Sequence, residues 1–172
     1  MTIRSATERD LADIQTIYAH HVLHGTGTFE ETPPSIEEMT ARYAATRARS
    51  GAWLVETDAT GVRGYAYYVQ LRERSAYRFC VEDSVYVRED VRGRGVGAAL
   101  LAALLDAAAA AGVRQMIAVI GDSANAGSIA VHTRAGFRQT GIWHACGLKF
   151  GRWLDVVHMQ RAIGRGATDL PT

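Results

Sequence analysis

The run SVYVREDVRGRGVGAALL, Ser84 to Leu101, constrains this chain more than any other stretch. A β-type segment breaks into alternating Arg and Gly and passes at once into a long Ala/Leu helix. Glycines ahead of a helix let the backbone approach a ligand closely. The helix start offers unpaired N–H groups and a partial positive charge. Arg92 and Arg94 add full charges that can grip a phosphate through paired bonds. The stretch predicts an anion cradle between a strand and the helix that follows it. Its competitor is a plain strand-to-helix turn with solvated arginines.

The rest of the chain supplies the context. TIRSA reads as a first strand, and Thr7 with Asp10 resembles an imperfect capping box. Leu11, Ile14, Ile17, Tyr18 and Val22 recur at helical spacing. HGTGTFEETPP is a loop, and Ser35 with Glu38 caps a second helix that Gly51 ends. AWLVETD, RGYAYYVQL and RFCVEDSVYV read as three successive strands. The Ala/Leu helix spans about Val96 to Ala111 and stops at Gly112. QMIAVIG is a continuous apolar run, as expected of a strand buried on both faces. NAGSIAVHTRAGF is a short helix, and RQTGIWHA and RWLDVVHMQ are the last strands. The order predicts an α/β (α+β) fold, a mixed, mostly antiparallel sheet flanked by helices. One domain covers 1–163, with a frayed tail over 164–172.

Composition narrows the class. At 172 residues, with 48% hydrophobic and 22% charged side chains, the chain suits one soluble globular domain. A net charge of +1 gives no reason to expect a nucleic-acid or membrane surface. No apolar run is long enough to cross a bilayer, and MTIRSATERD lacks the apolar core of a secretory signal. Cys80 and Cys146 cannot make a disulfide framework. A reduced, cytoplasmic setting is the expectation.

Three cradles compete for the loop. A P-loop needs Gly-Lys-Ser/Thr, which is missing. Gly93, Gly95 and Ala98 do fit the dinucleotide pattern G-x-G-x-x-A, and Asp122 ends the next strand, where a ribose-binding acid can lie. The upstream meander is not built of βαβ units, however, and too little chain follows for a doubly wound domain. The third reading rests on more of the sequence. Arg92-x-x-Gly95-x-Gly97 resembles the Q/R-x-x-G-x-G/A motif of the GNAT superfamily of N-acetyltransferases, and NAGSIAVHTRAGF resembles that family's N-x-x-S helix closed by Gly-Phe. The order of elements matches over residues 2–161. TGTFEETPPS, RERSAYRFCVEDSVYVRED and GLKFGRWLDVVHMQ resemble the phosphinothricin and methionine sulfone/sulfoximine acetyltransferase branch.

The resemblance implies acetyl-CoA as acetyl donor, no metal, a small-molecule amine as acceptor and a homodimer. It implies that backbone atoms of Val85, Tyr86 and Val87 pair with the pantetheine arm, with the Val87 N–H aimed at the thioester oxygen. N–H groups over Gly93, Arg94, Gly95, Val96, Gly97 and Ala98, with Arg92, would take the pyrophosphate. Asn125 and Ser128 would contact the pantetheine arm; Asn125 alone also reads as a helix N-cap.

Glu82 stands mid-strand, where Glu is depleted and an unpaired buried carboxylate is costly. By resemblance it is the general base; the alternative is an exposed Glu or an ion pair with a nearby arginine. Asp83 is expected on the opposite face. His132 stands where the family usually has Tyr, and reads either as proton donor to the leaving thiolate or as a packing residue. Arg72, Arg74 and Arg78 suit a carboxylate or phosphinate, and the branch points first to Arg72 and Arg74. Phe29 and Glu30 match the region lining the acceptor site, Tyr77 offers an aromatic wall, and Lys149 is a weaker candidate. His20, His21 and His24 read as ordinary helix residues rather than metal ligands. Other amines (a polyamine, an antibiotic, a protein N-terminus) and a non-catalytic acyl-CoA sensor are the alternative functions.

Overall fold

The computed structural model describes residues 2–171. In chain order these form β1 (Thr2–Ser5), α1 (Leu11–His24), α2 (Ile36–Ala48), β2 (Trp53–Asp58), β3 (Gly61–Gln70), β4 (Cys80–Val87), α3 (Val96–Ala110), β5 (Gln115–Gly121), α4 (Ala126–Arg134), β6 (Arg138–Lys149) and β7 (Arg152–Ala162). The strands make one sheet in the order β1-β2-β3-β4-β5-β7-β6. Neighbours run antiparallel except β4 and β5, which are parallel. This is the mixed, mostly antiparallel sheet that the order of elements predicts.

Each face of the sheet has its own core. α3 turns Val96, Leu100, Leu101, Leu104, Leu105 and Ala108 inward, at the spacing of one helical stripe. They pack on Met116, Ala118, Val157 and Met159. On the other face α1 and α2 bring Ile14, Ile17, Tyr18 and Met39 onto Trp53, Val55 and Tyr65. There Trp53 stacks on Tyr67, and Tyr65 on Tyr86.

Local signals set the helix starts. The Ser35 hydroxyl accepts from the Glu38 N–H at 3.2 Å. The Glu38 carboxylate turns to Arg42 instead of back to Ser35, so half of the capping box forms. Asp10 accepts from the Thr7 N–H and from both terminal nitrogens of Arg4. Arg4 first, and Thr7, outweigh the cost of burial and hold its pKa at about 2.

Three expectations are corrected. β5 is not buried on both faces: Met116, Ala118 and Ile120 are buried on one, while Ile117 and Val119 on the other are partly exposed, because α1 packs on β3 and β4 and does not extend over β5. β6 runs on past Ala145 to Lys149, with register breaks after Gln139 and Trp143. The tail is not simply frayed. Arg114 holds Asp169 at 2.9 Å and reaches the Gly166 carbonyl, and Gly166 is buried.

Candidate active site

The sheet opens at its one parallel junction. β4 and β5 pair from Cys80–Gln115 to Asp83–Ala118. β4 then continues to Val87 and β5 to Gly121 without pairing to each other. The Arg88 N–H bonds the Arg63 carbonyl across the Gly64–Val87 pair. That makes Gly64–Val87 a non-hydrogen-bonded pair, so the N–H and C=O of Val87 point toward β5. By alternation Val85 does the same, and Tyr86 spends its polar groups on β3. Tyr86 therefore leaves the set of backbone contacts that the resemblance implies; its side chain is partly buried in the aromatic stack. The open edge is a place where an extended ligand can add itself as a strand.

His21 on α1, expected to be an ordinary helix residue, instead completes this lip. Its Nε2 lies 2.9 Å from the Val87 carbonyl. A carbonyl only accepts, so Nε2 carries the proton. Burial pulls the His21 pKa down, against the Val87 bond, and Arg92 adds to the fall. With its carbonyl taken, Val87 presents a donor to the gap.

The glycine loop sits at the top of the same cleft. Gly93 and Gly95 have φ of 74° and 82°, and a Cβ at either would meet nothing within 4 Å. Their need for glycine is conformational rather than steric. Gly95 is the N-cap of α3 and no side chain caps the first turn, which leaves the leading N–H groups of Val96, Gly97 and Ala98 available. A Cβ on Gly97 would lie 3.4 Å from Val87 Cγ2, so loop and lip are in contact. Arg92 is held by Glu89 at 2.7 Å, and Arg94 is exposed. Across the gap Asn125 caps α4, its Oδ1 accepting from the Ser128 N–H at 3.2 Å. That bond uses the oxygen and leaves the amide NH₂, which abuts Gly27.

Glu82 and Asp83 project to opposite faces, as alternation demands. Glu82 is half-buried on the face that carries Tyr67, Val69 and Ile117. Burial lifts its pKa above the ordinary carboxylate value, Arg72 opposes the rise, and Asp83 adds to it. Of the three arginines in the preceding loop, Arg72 is the one whose charge acts on Glu82. Arg78 lies over the Phe79 ring and lines a different cavity of about 310 Å³ with Arg49, Gly51 and Val113. Arg74 and Tyr77 are exposed on the loop.

Phe29 and Glu30 are set by contacts the sequence reading did not foresee. A Cβ on Gly147 would overlap the Phe29 ring, and one on Gly121 would crowd it at 3.0 Å. Phe29 thus lies across two strands that have no side chain there. Glu30 is held by Arg42 at 2.7 Å and by the Tyr18 hydroxyl at 2.9 Å. Lys149 is a loop anchor: its buried ammonium donates to the Gly25 and Thr28 carbonyls at 2.9 and 2.8 Å. Arg42 and Tyr18 border a cavity of about 250 Å³ with Trp53, Tyr65, Tyr67 and Val69.

His132 is buried, with Nε2 2.9 Å from Asp83 Oδ2 and Nδ1 2.8 Å from the Ser128 carbonyl. Both partners are acceptors, so both ring nitrogens carry protons. Neither N–H is free to reach a leaving sulfur while these contacts last. His20 lies 3.5 Å from Glu89 and packs at a tilt against His24. Among the described residues no group of three or more His, Cys, Asp or Glu side chains is placed to hold a metal ion.

A sheet that parts between two parallel strands, with a donor-bearing lip and an uncapped helix start above the gap, marks a class of protein that can take a long, anion-bearing ligand along the open edge. The comparisons make the class specific. The acetyltransferase (GNAT) domain family matches residues 3–158, and the chain belongs to that family: it is an acetyl-CoA-dependent N-acetyltransferase. It is 46% identical over 170 residues to the phosphinothricin N-acetyltransferase of Alcaligenes faecalis, covering 99% of this chain and 86% of that one. It is 45% identical over 161 residues to the L-methionine sulfoximine/L-methionine sulfone acetyltransferase of Pseudomonas aeruginosa, covering 92% of each. The crystal structure of a phosphinothricin acetyltransferase from Sinorhizobium meliloti in complex with AcCoA superposes with a TM-score of 0.96. It is 46% identical and covers 99% of this chain and 92% of that one.

Proposed function

We propose that this enzyme acetylates the α-amine of a small amino acid or analogue of the phosphinothricin, methionine sulfone or methionine sulfoximine type, directly in a ternary complex. The observation that carries the reading is Glu82: a half-buried carboxylate of raised pKa, beside the open strand edge, with an arginine acting on it. The names of the relatives support the acceptor class.

Acetyl-CoA supplies the acetyl group as an activated thioester; the remaining work falls to the chain. The backbone of Val85 and Val87 orients the pantetheine arm, and the Val87 N–H donates to the carbonyl oxygen where charge develops. The first turn of α3, with Arg92 and Arg94, takes the pyrophosphate, and the free amide of Asn125, with Ser128, borders the arm. Glu82 accepts the proton of the acceptor ammonium, directly or through water, and its raised pKa makes it a better base than an exposed Glu. Arg72, aided by Arg74, pairs with an acidic group of the acceptor; Phe29, Glu30 and Tyr77 close the pocket, and Arg78 stands at its margin. His132 holds a proton close by through Asp83, and delivering it to the departing sulfur requires release of that contact.

The domain proposed spans 1–163 and works in the cytoplasm as a homodimer. Support for the dimer comes from the β6–β7 hairpin. β6 is an edge strand, and Trp143, Leu148, Phe150 and Trp153 are each more than half exposed along the hairpin and its turn. An open edge beside such a patch is an interface in want of a second copy. Sedimentation of the purified enzyme tests this: a dimer that Trp153→Glu converts to monomer is expected, and a wild-type monomer overturns it.

The function is tested by coenzyme A release with phosphinothricin, methionine sulfone and methionine sulfoximine. Turnover with at least one is expected, and no turnover with any of them defeats the acceptor assignment. Glu82→Gln should lower kcat by about 100-fold or more while acetyl-CoA still binds; an active variant removes Glu82 from the mechanism.

A further inference from the structure

His158, on β7, is a polar group that neither the fold nor the chemistry above uses. It pairs in register with Val119 of β5, and Glu82 pairs with Ile117. Ile117 and Val119 are two apart on one strand and share a face. His158 therefore projects from the same half-open face as Glu82, two strands over and one side-chain step along. Its Nε2 is shut off from solvent and has no hydrogen-bond partner among the described residues. A buried polar nitrogen without a partner is uncommon and calls for a cause. Trp143 on the edge strand packs its ring against the imidazole, centroids 4.1 Å apart, so the ring is held although its nitrogen is unsatisfied. Arg72 acts on this imidazole as it does on Glu82. Burial, with that nearby cation, pulls the His158 pKa below the ordinary value and favours the neutral ring, which offers both a donor and an acceptor.

We infer that His158 is a specificity-determining residue of the acceptor site, hydrogen-bonded to an oxygen on the far end of the acceptor's side chain. The inference rests on the acceptor binding with its amine at Glu82. Two strand spacings and one side-chain step separate the two backbones by about 12 Å. The two side chains stand roughly parallel on that face, so with a hydrogen bond of about 3 Å at each end the remaining span suits an amino acid of methionine's length. Its amine then lies at Glu82, its carboxylate near Arg72, and a sulfone, sulfoximine or phosphinate oxygen at His158. Such an oxygen, admitted by a turn of the imidazole or a shift of the Trp143 ring that now covers it, completes the bond that the fold leaves unmade. An apolar side chain of equal length leaves the nitrogen bare, and a site built to hydrogen-bond a substrate rejects the analogue that lacks the group.

The test compares methionine sulfone with methionine, which differ in the two oxygens. His158→Phe keeps a ring of similar size and removes both nitrogens; His158→Gln keeps an amide donor. In kcat/KM the preference of the wild type for the sulfone should fall about tenfold or more in the Phe variant and be partly recovered in the Gln variant. The same comparison by titration calorimetry, with coenzyme A present, reads the preference without turnover. An unchanged preference, or equal losses for both acceptors in both variants, overturns the inference. The outcome is separable from that of Glu82→Gln. The Glu82 variant stops or spares both acceptors alike, whereas His158 variants change the ratio between them.

Discussion

The His132 imidazole is clamped between Asp83 Oδ2 at 2.9 Å and the Ser128 carbonyl at 2.8 Å. It joins the last turn of α4 to the middle of β4, one residue from Glu82 but on the other face of the sheet. Burial disfavours the charged ring, and the Asp83 hydrogen bond and charge outweigh it, so the His132 pKa is raised. The sign of the linkage follows. A group whose pKa is higher folded than unfolded lends stability below the unfolded value, about 6.5, and loses it as pH climbs through the folded value.

Urea unfolding at a series of pH values reads this directly. Wild-type stability is expected to fall as pH rises above about 6.5. Asp83→Asn keeps a hydrogen-bonding group of the same shape and removes the charge, so this component should flatten. Asp83→Ala leaves a buried cation unpaired and should cost about 3–5 kcal/mol near pH 6. A wild type and an Asn variant with the same pH dependence would show that the His132 ring is not charged in the folded protein.

Arg72 tunes the base. Glu82 must be ionised to take a proton, so activity is lost as pH falls through its raised pKa. The acidic limb of kcat/KM should lie above the value of a free Glu, about 4.3. Arg72→Ala removes the charge that opposes the rise, so the limb should move further up in pH. A limb that stays in place would mean that another group sets it. Acceptor KM should rise in the same variant, and KM for acetyl-CoA should not.

The Phe29 slot is tested at Gly147, where a Cβ would overlap the ring. Gly147→Ala must push Phe29 out across the acceptor face. Acceptor KM should rise about tenfold, in the range of overpacking costs of 1–3 kcal/mol, with acetyl-CoA binding retained. Because Phe29 also lines the pocket, the reference is Phe29→Ala alone: adding Gly147→Ala to it should cost nothing further, because the clash is gone. A further loss would place the effect in the bend of β6 rather than in the ring.

Much of this fold was legible because its signals are local. The inward stripe of α3, the Ser35 cap, and the φ > 0 glycines at 93 and 95 are each determined within a few residues. So was the opposite orientation of Glu82 and Asp83, which follows from strand alternation alone. What was not legible depends on elements far apart in the chain. QMIAVIG reads as apolar whether one face is covered or both, and only the reach of α1 and α2 decides which. Arg42 reaches Glu30 from a helix, and Lys149 holds a loop 121 residues away. His158 sits in an ordinary strand pattern; its missing partner is visible only once β5, β7 and Trp143 are in place.

His21 is the plainest case, for it meets Val87 across 66 residues and decides what the cleft lip presents. With the carbonyl occupied, the strand end offers a donor; with His21→Ala, it offers a donor and a bare acceptor that recruits water. Removing one such bond is worth about 1 kcal/mol. KM for acetyl-CoA should therefore rise, and kcat fall, by a combined factor of about fivefold, with acceptor KM little affected. His21→Gln, which can donate from its amide, should restore part of both. A residue that only packs α1 against β4 would instead lower the melting temperature in the Ala variant and leave the split between the two KM values unmoved.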